Sequence, residues 1–480
     1  IGEVVIATTR PETLFGDVAV AVHPDDTRYK DYVGKKVVLP LTGKEIPIIA
    51  DEYVDPNFGS GAVKITPFHD PNDFEVGKRH NLPRLQVIDF DGKMINVPTQ
   101  FEGLDVEEAR KKVVAALHAE EVIRKEETIE HTVGYDYKSG LPIQPLIKEQ
   151  WFLRMEPLAE KAINALEANK ITFYPAGKKN ILIQYLKNIH DWNLSRQIPW
   201  GIPIPAFQNI ADDTDWIFSE DVDEKTLTIN GKTYRREEDT FDTWFSSGQW
   251  PFITTDALTG GTLARFFPTD LMETGTDLLD RWIARMIMLS LHMTGKIPFK
   301  DVYLHGMVLD EHSQKMSKSK GNVINPMELV SEYGSDALRL GLIASRSPGQ
   351  NQAFSADRVV AGRNFCNKLW NISRFIENKL GENFQPQTPE AKTLADHWII
   401  SELATAKSTI ERTLETYRFA EAGEAVYHAI WDSVADWYIE ASKEEENPNL
   451  LAWVLDTSLR LAHPFAPFVT ETIWQTLPWH

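Results

Sequence analysis

The run Asp301-Val302-Tyr303-Leu304-His305-Gly306-Met307-Val308-Leu309, with Lys315-Met316-Ser317-Lys318-Ser319-Lys320-Gly321-Asn322 close behind it, narrows the possible folds more than any other stretch. An apolar run of this kind reads as a buried strand. The segment after it alternates three lysines with small hydroxyl residues and closes on glycine. A buried strand that feeds a flexible cationic loop presents movable positive charge to a polyphosphate. The same lysine-serine composition also describes a solvated surface loop, and composition does not separate the two.

A chain of 480 residues exceeds what one compact core holds, so two to four domains are expected. The formal net charge of −20 argues against non-specific nucleic-acid binding, which needs a cationic surface. Any RNA contact must therefore use a local basic patch. Lys178, Lys179 and Asn180 with Lys187, His190 and Arg196 form one candidate, although a solvated helix face has the same spacing. Cys366 is the sole cysteine, which excludes intrachain disulfides and a cysteine-rich zinc site and fits a reducing compartment. No resident metal is expected. The longest apolar run, Trp282 to Met293, is broken by Arg285 and is too short to span a membrane. No signal peptide opens the chain. Ile1 is not methionine and the first residues already read as a strand, so the chain is expected to begin inside a larger protein.

The first hundred residues read as β-dominated. Val4 to Thr13 is a β-rich run ending in a polar turn, and short strands are expected at Val18 to Val22, Val37 to Leu39, Ile46 to Ile49 and Ala62 to Ile65. The last of these leads into a polar cluster, Phe58-Gly59-Ser60-Gly61-Ala62-Val63-Lys64-Ile65-Thr66-Pro67-Phe68-His69-Asp70-Pro71-Asn72-Asp73-Phe74. A lysine and two carboxylates three residues apart suit a pocket for a small amine. The alternative is a helix start with the aspartates as caps. Val106 to Ala119 carries helical spacing at Val106, Ala109, Val113 and Leu117. Further on, Leu278, Trp282, Met286 and Leu289 share one helical face, and Met327 to Ile343 reads as helix. Ser347-Pro348-Gly349-Gln350 marks a boundary. Beyond Ser355 the pattern is helical, with a stripe of Val359, Phe365, Leu369, Ile372 and Ile376 and similar stripes through Trp398, Tyr427, Trp431, Trp437 and Leu455.

Lys315-Met316-Ser317-Lys318-Ser319 matches the signature loop by which class I aminoacyl-tRNA synthetases resemble one another. The Thr8-Thr9-Arg10-Pro11-Glu12-Thr13 segment and the polar cluster from Gly59 to Asp73 resemble the editing domain of the valyl-tRNA synthetase family. Isoleucyl enzymes typically carry a Thr-Thr-Thr-Pro-Trp variant of the first motif, and leucyl enzymes a methionine-containing second one, so both fit less well. Gly134-Tyr135-Asp136 with Leu141-Pro142, then Glu149 to Phe152, resembles the return from the editing insertion. Asp191 to Gly201, Asp242 to Gly248 and Gly275 to Trp282 resemble blocks of the catalytic half. Ile202-Pro203-Ile204-Pro205 replaces the usual His-Arg-Ile-Pro and leans toward isoleucyl enzymes.

The resemblance implies a multidomain α/β protein. Residues 1–145 would be a β-rich editing domain, 146–330 the second half of a Rossmann-like catalytic domain, 331–354 a connecting segment, and 355–480 an all-α anticodon-binding bundle. It implies ligation of valine to its tRNA through a valyl adenylate, with hydrolysis of mischarged threonyl-tRNA. An isoleucyl enzyme, a free-standing editing hydrolase or a non-catalytic tRNA-binding protein are the competing readings. Lys315 and Lys318 would stabilise the leaving pyrophosphate. Asp277 would hold the ATP ribose, and the backbone of His305, Gly306, Met307 and Val308 the adenine. Trp244, Leu278 and Trp282 would wall the amino-acid pocket, although a tryptophan is more often simply core. Thr8, Arg10, Thr13, Phe58, Lys64, Thr66, Asp70 and Asp73 would form the editing site, with Asp73 acting on the α-ammonium. ATP with Mg²⁺, valine and the cognate tRNA are the implied partners. A cytoplasmic monomer with no membrane contact is expected. The family's His-Ile-Gly-His element and closing coiled coil are not in these residues, so an internal portion of a longer synthetase is expected, one that by itself retains at most editing.

Overall fold

The computed structural model describes residues 2–130, 132–136, 139–343, 348–444 and 446–479. Ser347, the head of the expected boundary, lies outside them, as does the side chain of Ser319. The chain divides into two compact units, residues 1–149 and 150–480.

The first unit is built on a four-stranded sheet. Its strands β1 (Ala19–Val22), β2 (Lys36–Val38), β3 (Glu45–Ala50) and β4 (Ala62–Ile65) lie in the order β2-β3-β1-β4. β1 runs parallel to β3 and antiparallel to β4, with Val20 opposite both Ile48 and Lys64. All four residues of β1 are buried because the sheet is covered on both faces, which is why the strand reads Ala-Val-Ala-Val rather than alternating with polar residues. Val20, Val22, Ile46 and Ile48 pack with helix α2 (Val106–Ala119) through Val106, Ala109, Val113 and Leu117. Ala19, Ala21 and Ile65 pack on the other face with Val76 of helix α1 (Pro71–Arg79).

One expected strand is absent. Residues 2–8 take no regular structure, and Pro11–Gly16 forms a buried 3₁₀ helix. Val4 and Ile6 nevertheless pack against the core. Apolar alternation reports burial of side chains, whereas a strand also needs a partner edge. Here the proline sets the chain into a tight turn closed by the Thr13 amide on the Arg10 carbonyl at 3.1 Å.

The second unit opens with a three-stranded parallel sheet, in the spatial order Thr269–Gly275, Phe299–His305, Thr172–Tyr174. Parallel strands need helical crossovers. Helices Glu156–Glu167, Gly177–Lys187 and Ala284–Thr294 supply Leu158, Leu166, Leu182, Leu186, Met286 and Ile287 to the core around Phe173, Phe299, Val302 and Leu304. An antiparallel sheet of four short strands between Ala206 and Arg236 was not legible in the sequence. Its Asp215 accepts from Lys232 Nζ, Asn209 Nδ2 and Tyr234 Oη at 2.8, 2.9 and 3.1 Å.

Two expected helices are interrupted. Residues 276–278 form a 3₁₀ turn and Leu279–Ile283 a π turn before the α-helix Ala284–Thr294 begins, so the expected helix is not one regular element, although Trp282 still packs against the core that holds Met286. The helix expected over 327–343 is two helices, Pro326–Tyr333 and Ser335–Ile343, parted at Gly334 where φ is +91°.

The remaining helices form a bundle. Ala356–Leu380 buries Val359, Phe365, Leu369, Ile372 and Ile376, as the spacing predicts. Gly362 lets it approach Ser335–Ile343, since a Cβ there would lie 2.7 Å from the Ala337 carbonyl oxygen. Leu455 is core, but Trp437 is 70% exposed and Trp398 and Tyr427 also reach solvent. The reason for Trp437 is local: Ala429–Tyr438 is π-helical, and i→i+5 turns displace side chains from a 3.6-residue stripe. Among the described residues no helix is long and apolar enough to cross a membrane.

Candidate functional site

In the first unit, the residues expected in the editing site, Phe58 apart, fall into one hydrogen-bonded chain. Lys64 Nζ donates to Thr13 Oγ1 at 2.9 Å, Thr66 Oγ1 at 2.6 Å and Asp17 Oδ1 at 2.9 Å. Thr13 Oγ1 donates to the Arg10 carbonyl at 3.0 Å, and the Thr66 amide donates to Asp73 Oδ2 at 2.8 Å. Chain geometry explains part of this, because Thr66 directly follows β4 and lies two residues after Lys64, the period at which extended backbone returns a side chain to the same side.

Asp70 and Asp73 do different things. Asp70 is the N-cap of α1, accepting from the amides of Asn72 and Asp73 at 2.8 and 3.2 Å, which is the capping alternative. Asp73 sits in the first helical turn and is 7% exposed. Burial pushes its carboxyl up to about 6, helped by the neighbouring charges of Asp70 and Asp17 and opposed by the Thr66 amide and Lys64.

Arg10 donates through Nη1 to the His69 carbonyl at 2.7 Å and through Nη2 to Gln144 Oε1. Thr8 is exposed, and its hydroxyl accepts from the Arg10 amide at 3.0 Å. Phe58 is 73% exposed on the loop whose Gly59 approaches Ala7.

Three further groups complete this region, and sequence reasoning missed them. Asp17 is fully buried against Lys64. Glu12, also fully buried, takes Arg110 from α2 at 2.8 and 2.9 Å. His69 accepts the Val87 amide on Nε2 at 2.9 Å, and burial holds its pKa down near 4. The available signal was an unpaired acidic residue inside an otherwise apolar run, as in Phe15-Gly16-Asp17-Val18.

In the second unit the expected nucleotide residues gather at the carboxyl ends of the parallel strands, where open α/β sheets bind ligands. His305 ends one strand and pairs with Glu273 of its neighbour. Asp277 follows the other strand, and Lys315 Nζ lies 3.7 Å from its Oδ2. Gly306 is required by a crossing of backbone: a Cβ there would lie 1.6 Å from the Gln350 carbonyl oxygen. The Met307 amide donates to Asn351 Oδ1 at 2.8 Å, and its carbonyl accepts from Gln352 at 2.9 Å. An adenine placed on Met307 would therefore compete with Asn351. Val308–Leu309 pairs in parallel with Gln352–Ala353.

The lysine loop is clasped rather than loose. Asp310 accepts from the amides of His312 and Gln314 at 3.0 and 2.7 Å and from Asn322 Nδ2 at 2.8 Å. Asn322 Oδ1 accepts the Ser317 amide at 2.9 Å. These bonds, Asn322 first, hold the Asp310 carboxyl below the usual range. Lys315, Lys318 and Lys320 are left exposed. Asn322→Ala removes the bond to Asp310 and the one from Ser317, so tryptic cleavage after these lysines is expected to rise about tenfold or more while the melting temperature stays put. Equal cleavage rates would show that Asn322 does not close the loop.

Trp244 and Trp282 are brought together. Asp242 caps the short helix Thr243–Ser247 through the Trp244 amide at 3.0 Å, and Trp282 Nε1 donates to the Ser247 carbonyl of that helix at 2.9 Å. Both rings are partly buried against the sheet core, and Leu278 is partly exposed beside the π turn. Asp242 Oδ2 also takes Trp192 Nε1 at 3.0 Å and Arg196 at 2.5 Å. Arg196 is thereby drawn away from the basic patch expected around it, and Lys187 faces Glu167 at 3.6 Å.

Comparison with known proteins accounts for this combination. The Anticodon-binding domain of tRNA ligase matches residues 396–479, and the Leucyl-tRNA synthetase editing domain matches residues 30–118. The valine-tRNA ligases of Geobacillus kaustophilus and Geobacillus stearothermophilus are each 46% identical, over 492 and 495 residues, covering 99% of this chain. The chain spans 55% of the length of each. Among solved structures, an Agrobacterium radiobacter leucyl-tRNA synthetase in a ternary complex with tRNA and LeuAMS aligns over 98% of this chain and 60% of its own, at 21% identity and a TM-score of 0.51. Mycobacterium tuberculosis methionyl-tRNA synthetase bound by methionyl-adenylate aligns over 71% and 65%, at 18% identity and a TM-score of 0.54. These likenesses extend the shared fold. The profile of the tRNA synthetases class I (I, L, M and V) matches residues 93–355, more than half of the chain, and the chain belongs to that family.

Proposed function

We propose that, in a full-length enzyme that carries them, these residues serve to activate valine with ATP and transfer it to its tRNA, and that the first unit hydrolyses threonyl-tRNA formed in error. The observation that carries this reading is the 46% identity to valine-tRNA ligases along 99% of the chain, together with the clasped lysine loop facing Asp277. In this reading residues 1–145 edit, 146–330 belong to the catalytic domain, 331–354 connect, and 355–480 bind the anticodon arm. The protein works as a cytoplasmic monomer.

Adenylate formation sends the valine carboxylate onto the α-phosphorus of ATP and expels pyrophosphate, so negative charge grows on the bridging and leaving oxygens. Lys315 and Lys318 answer that charge, and Mg²⁺ arrives with the nucleotide as part of the substrate. Before ATP enters, Lys315 rests near Asp277; ribose hydroxyls then take over the carboxylate and release the lysine toward phosphate. Trp244, Trp282 and Leu278 form an apolar wall for the isopropyl group. Such a wall rejects threonine poorly, and valyl-tRNA synthetase facing threonine is itself the standard illustration of that limit, about 10²-fold. The second, hydrolytic pocket supplies the rest.

The test is single-turnover adenylate formation in a full-length enzyme that carries these residues. Lys318→Ala should lower the rate about 10²-fold with little change in valine affinity, because the lost interaction belongs to the transition state. Valine-independent pyrophosphate exchange, or an unchanged rate in the variant, would remove the assignment.

A further inference from the structure

Asp17 is a fully buried carboxylate outside every role assigned above. Its Oδ1 accepts twice, from Lys64 Nζ at 2.9 Å and from Thr66 Oγ1 at 2.5 Å, while Oδ2 has no hydrogen-bonding partner among the described residues. An ammonium has three N–H donors, and Lys64 spends all three on Asp17, Thr13 and Thr66. Lys64 can therefore reach a ligand only if one of these bonds is given up. Thr66 in turn holds Asp73 through its amide.

A buried carboxylate with an idle oxygen is a poor packing element, since a neutral side chain of similar size would fill the space without the desolvation cost. Burial pushes the Asp17 carboxyl up, and Lys64 and Thr66 pull against that. Retaining a charge here makes sense if the charge orients something.

We propose that Asp17 is a positioning residue of the editing pocket: through one oxygen it clamps Lys64 and Thr66, and through Thr66 it fixes where Asp73 stands. The proposal rests on the editing reading above, with Asp73 facing the α-ammonium of the aminoacyl ester. Asp17 itself need touch no part of the substrate. Its loss should lower turnover more than it weakens binding, because a displaced catalytic neighbourhood still admits the ester.

The test uses the 480-residue chain with Asp17→Asn, and with Thr66→Val as a second variant that opens the clamp without leaving a buried charge unpaired. Two quantities are read well below the melting temperature. One is the acetylation rate of Lys64 by an N-hydroxysuccinimide ester, followed by peptide mass spectrometry against the other lysines. The other is kcat and KM for hydrolysis of threonyl-tRNA specific for valine. Acetylation of Lys64 should rise about tenfold in both variants, and kcat should fall about 10²-fold with KM little changed. Unchanged acetylation of Lys64 in both variants would overturn the clamp whether or not the chain hydrolyses anything. Faster acetylation with hydrolysis at the wild-type rate would overturn the positioning role and leave only a structural pair. A wild-type chain without hydrolysis would count against the editing reading, while the acetylation result still decides the clamp.

Discussion

Asp73→Asn is expected to raise the stability of the first unit at pH 8 and, in the same protein, to lower hydrolysis of threonyl-tRNA by about 10²- to 10³-fold. The stability gain follows from burial. The Asp73 carboxyl is pushed up to about 6 from an ordinary 3.8, so the folded state holds its proton more tightly than the unfolded chain does. A raised carboxylate of this kind favours folding most below about pH 3.8, and that advantage is lost as pH rises through about 6. Above that, the ionised group costs roughly 2 to 3 kcal/mol, the free energy of a shift of about two pH units. An amide keeps an oxygen to accept the Thr66 N–H and carries no charge to desolvate. The variant should therefore melt higher than wild type at pH 8, and the difference should vanish near pH 4. The functional loss follows from the same charge, because an α-ammonium facing a neutral amide loses a desolvated ion pair, worth about 2 to 5 kcal/mol. Thermal melts at the two pH values with hydrolysis assays at pH 8 check both halves. Equal melting differences at pH 8 and pH 4 would mean that Asp73 is not strained by burial. A stabilised variant that still hydrolyses would separate Asp73 from the chemistry.

Gly306→Ala is expected to be the most damaging single-methyl change in the second unit. The added carbon would meet the Gln350 carbonyl carbon at 2.0 Å and the following amide nitrogen at 2.6 Å, and neither is the movable end of a side chain. The crossing must open. Opening it breaks the bonds from Gln352 to Met307 and from Phe354 to Leu309, both 2.9 Å, and the 2.8 Å bond from Met307 to Asn351. Three bonds at about 1 kcal/mol each, with the strain of overpacking, put the cost at about 3 kcal/mol or more. Amide exchange at Gln352 and Phe354 should accelerate about 10²-fold. The lysine loop starts directly after Leu309, so in a full-length enzyme that carries the change adenylate formation should fall below detection. Gly177→Ala is the control: a Cβ there meets nothing within 4 Å among the described residues and its backbone is helical, so it should be near neutral. Unaltered exchange at Gln352 in the Gly306 variant would show that the crossing is not closed in solution.

Both results turn on residues whose type was readable in the sequence and whose reason was not. Local order was enough for the strands β1 to β4, the helix Val106–Ala119 and the stripe of Phe365, Leu369, Ile372 and Ile376, because a period of two or 3.6 is written in neighbouring letters. The signature lysines and the Thr-Thr-Arg-Pro-Glu-Thr motif were legible for the same reason: each is contiguous, and its chemistry lies in residue types at fixed short spacing. Where backbone geometry departs from those periods, the reading failed. The π turn at Ala429–Tyr438 moves Trp437 off its stripe, the one at Leu279–Ile283 interrupts the helix expected through Trp282, and the 3₁₀ turn at Pro11–Gly16 replaces the end of a strand.

What the sequence determined by itself is the kind of protein and the residue types each site can draw on. Only the tertiary structure decided which of them meet. Asp17 reaches Lys64 across 47 positions, Arg110 reaches Glu12 across 98, and Asn351 reaches Met307 across 44. No local period encodes such pairs. They follow from strand register and helix placement, and their energetics depend on burial, which turns an ordinary aspartate such as Asp73 into one that titrates near 6.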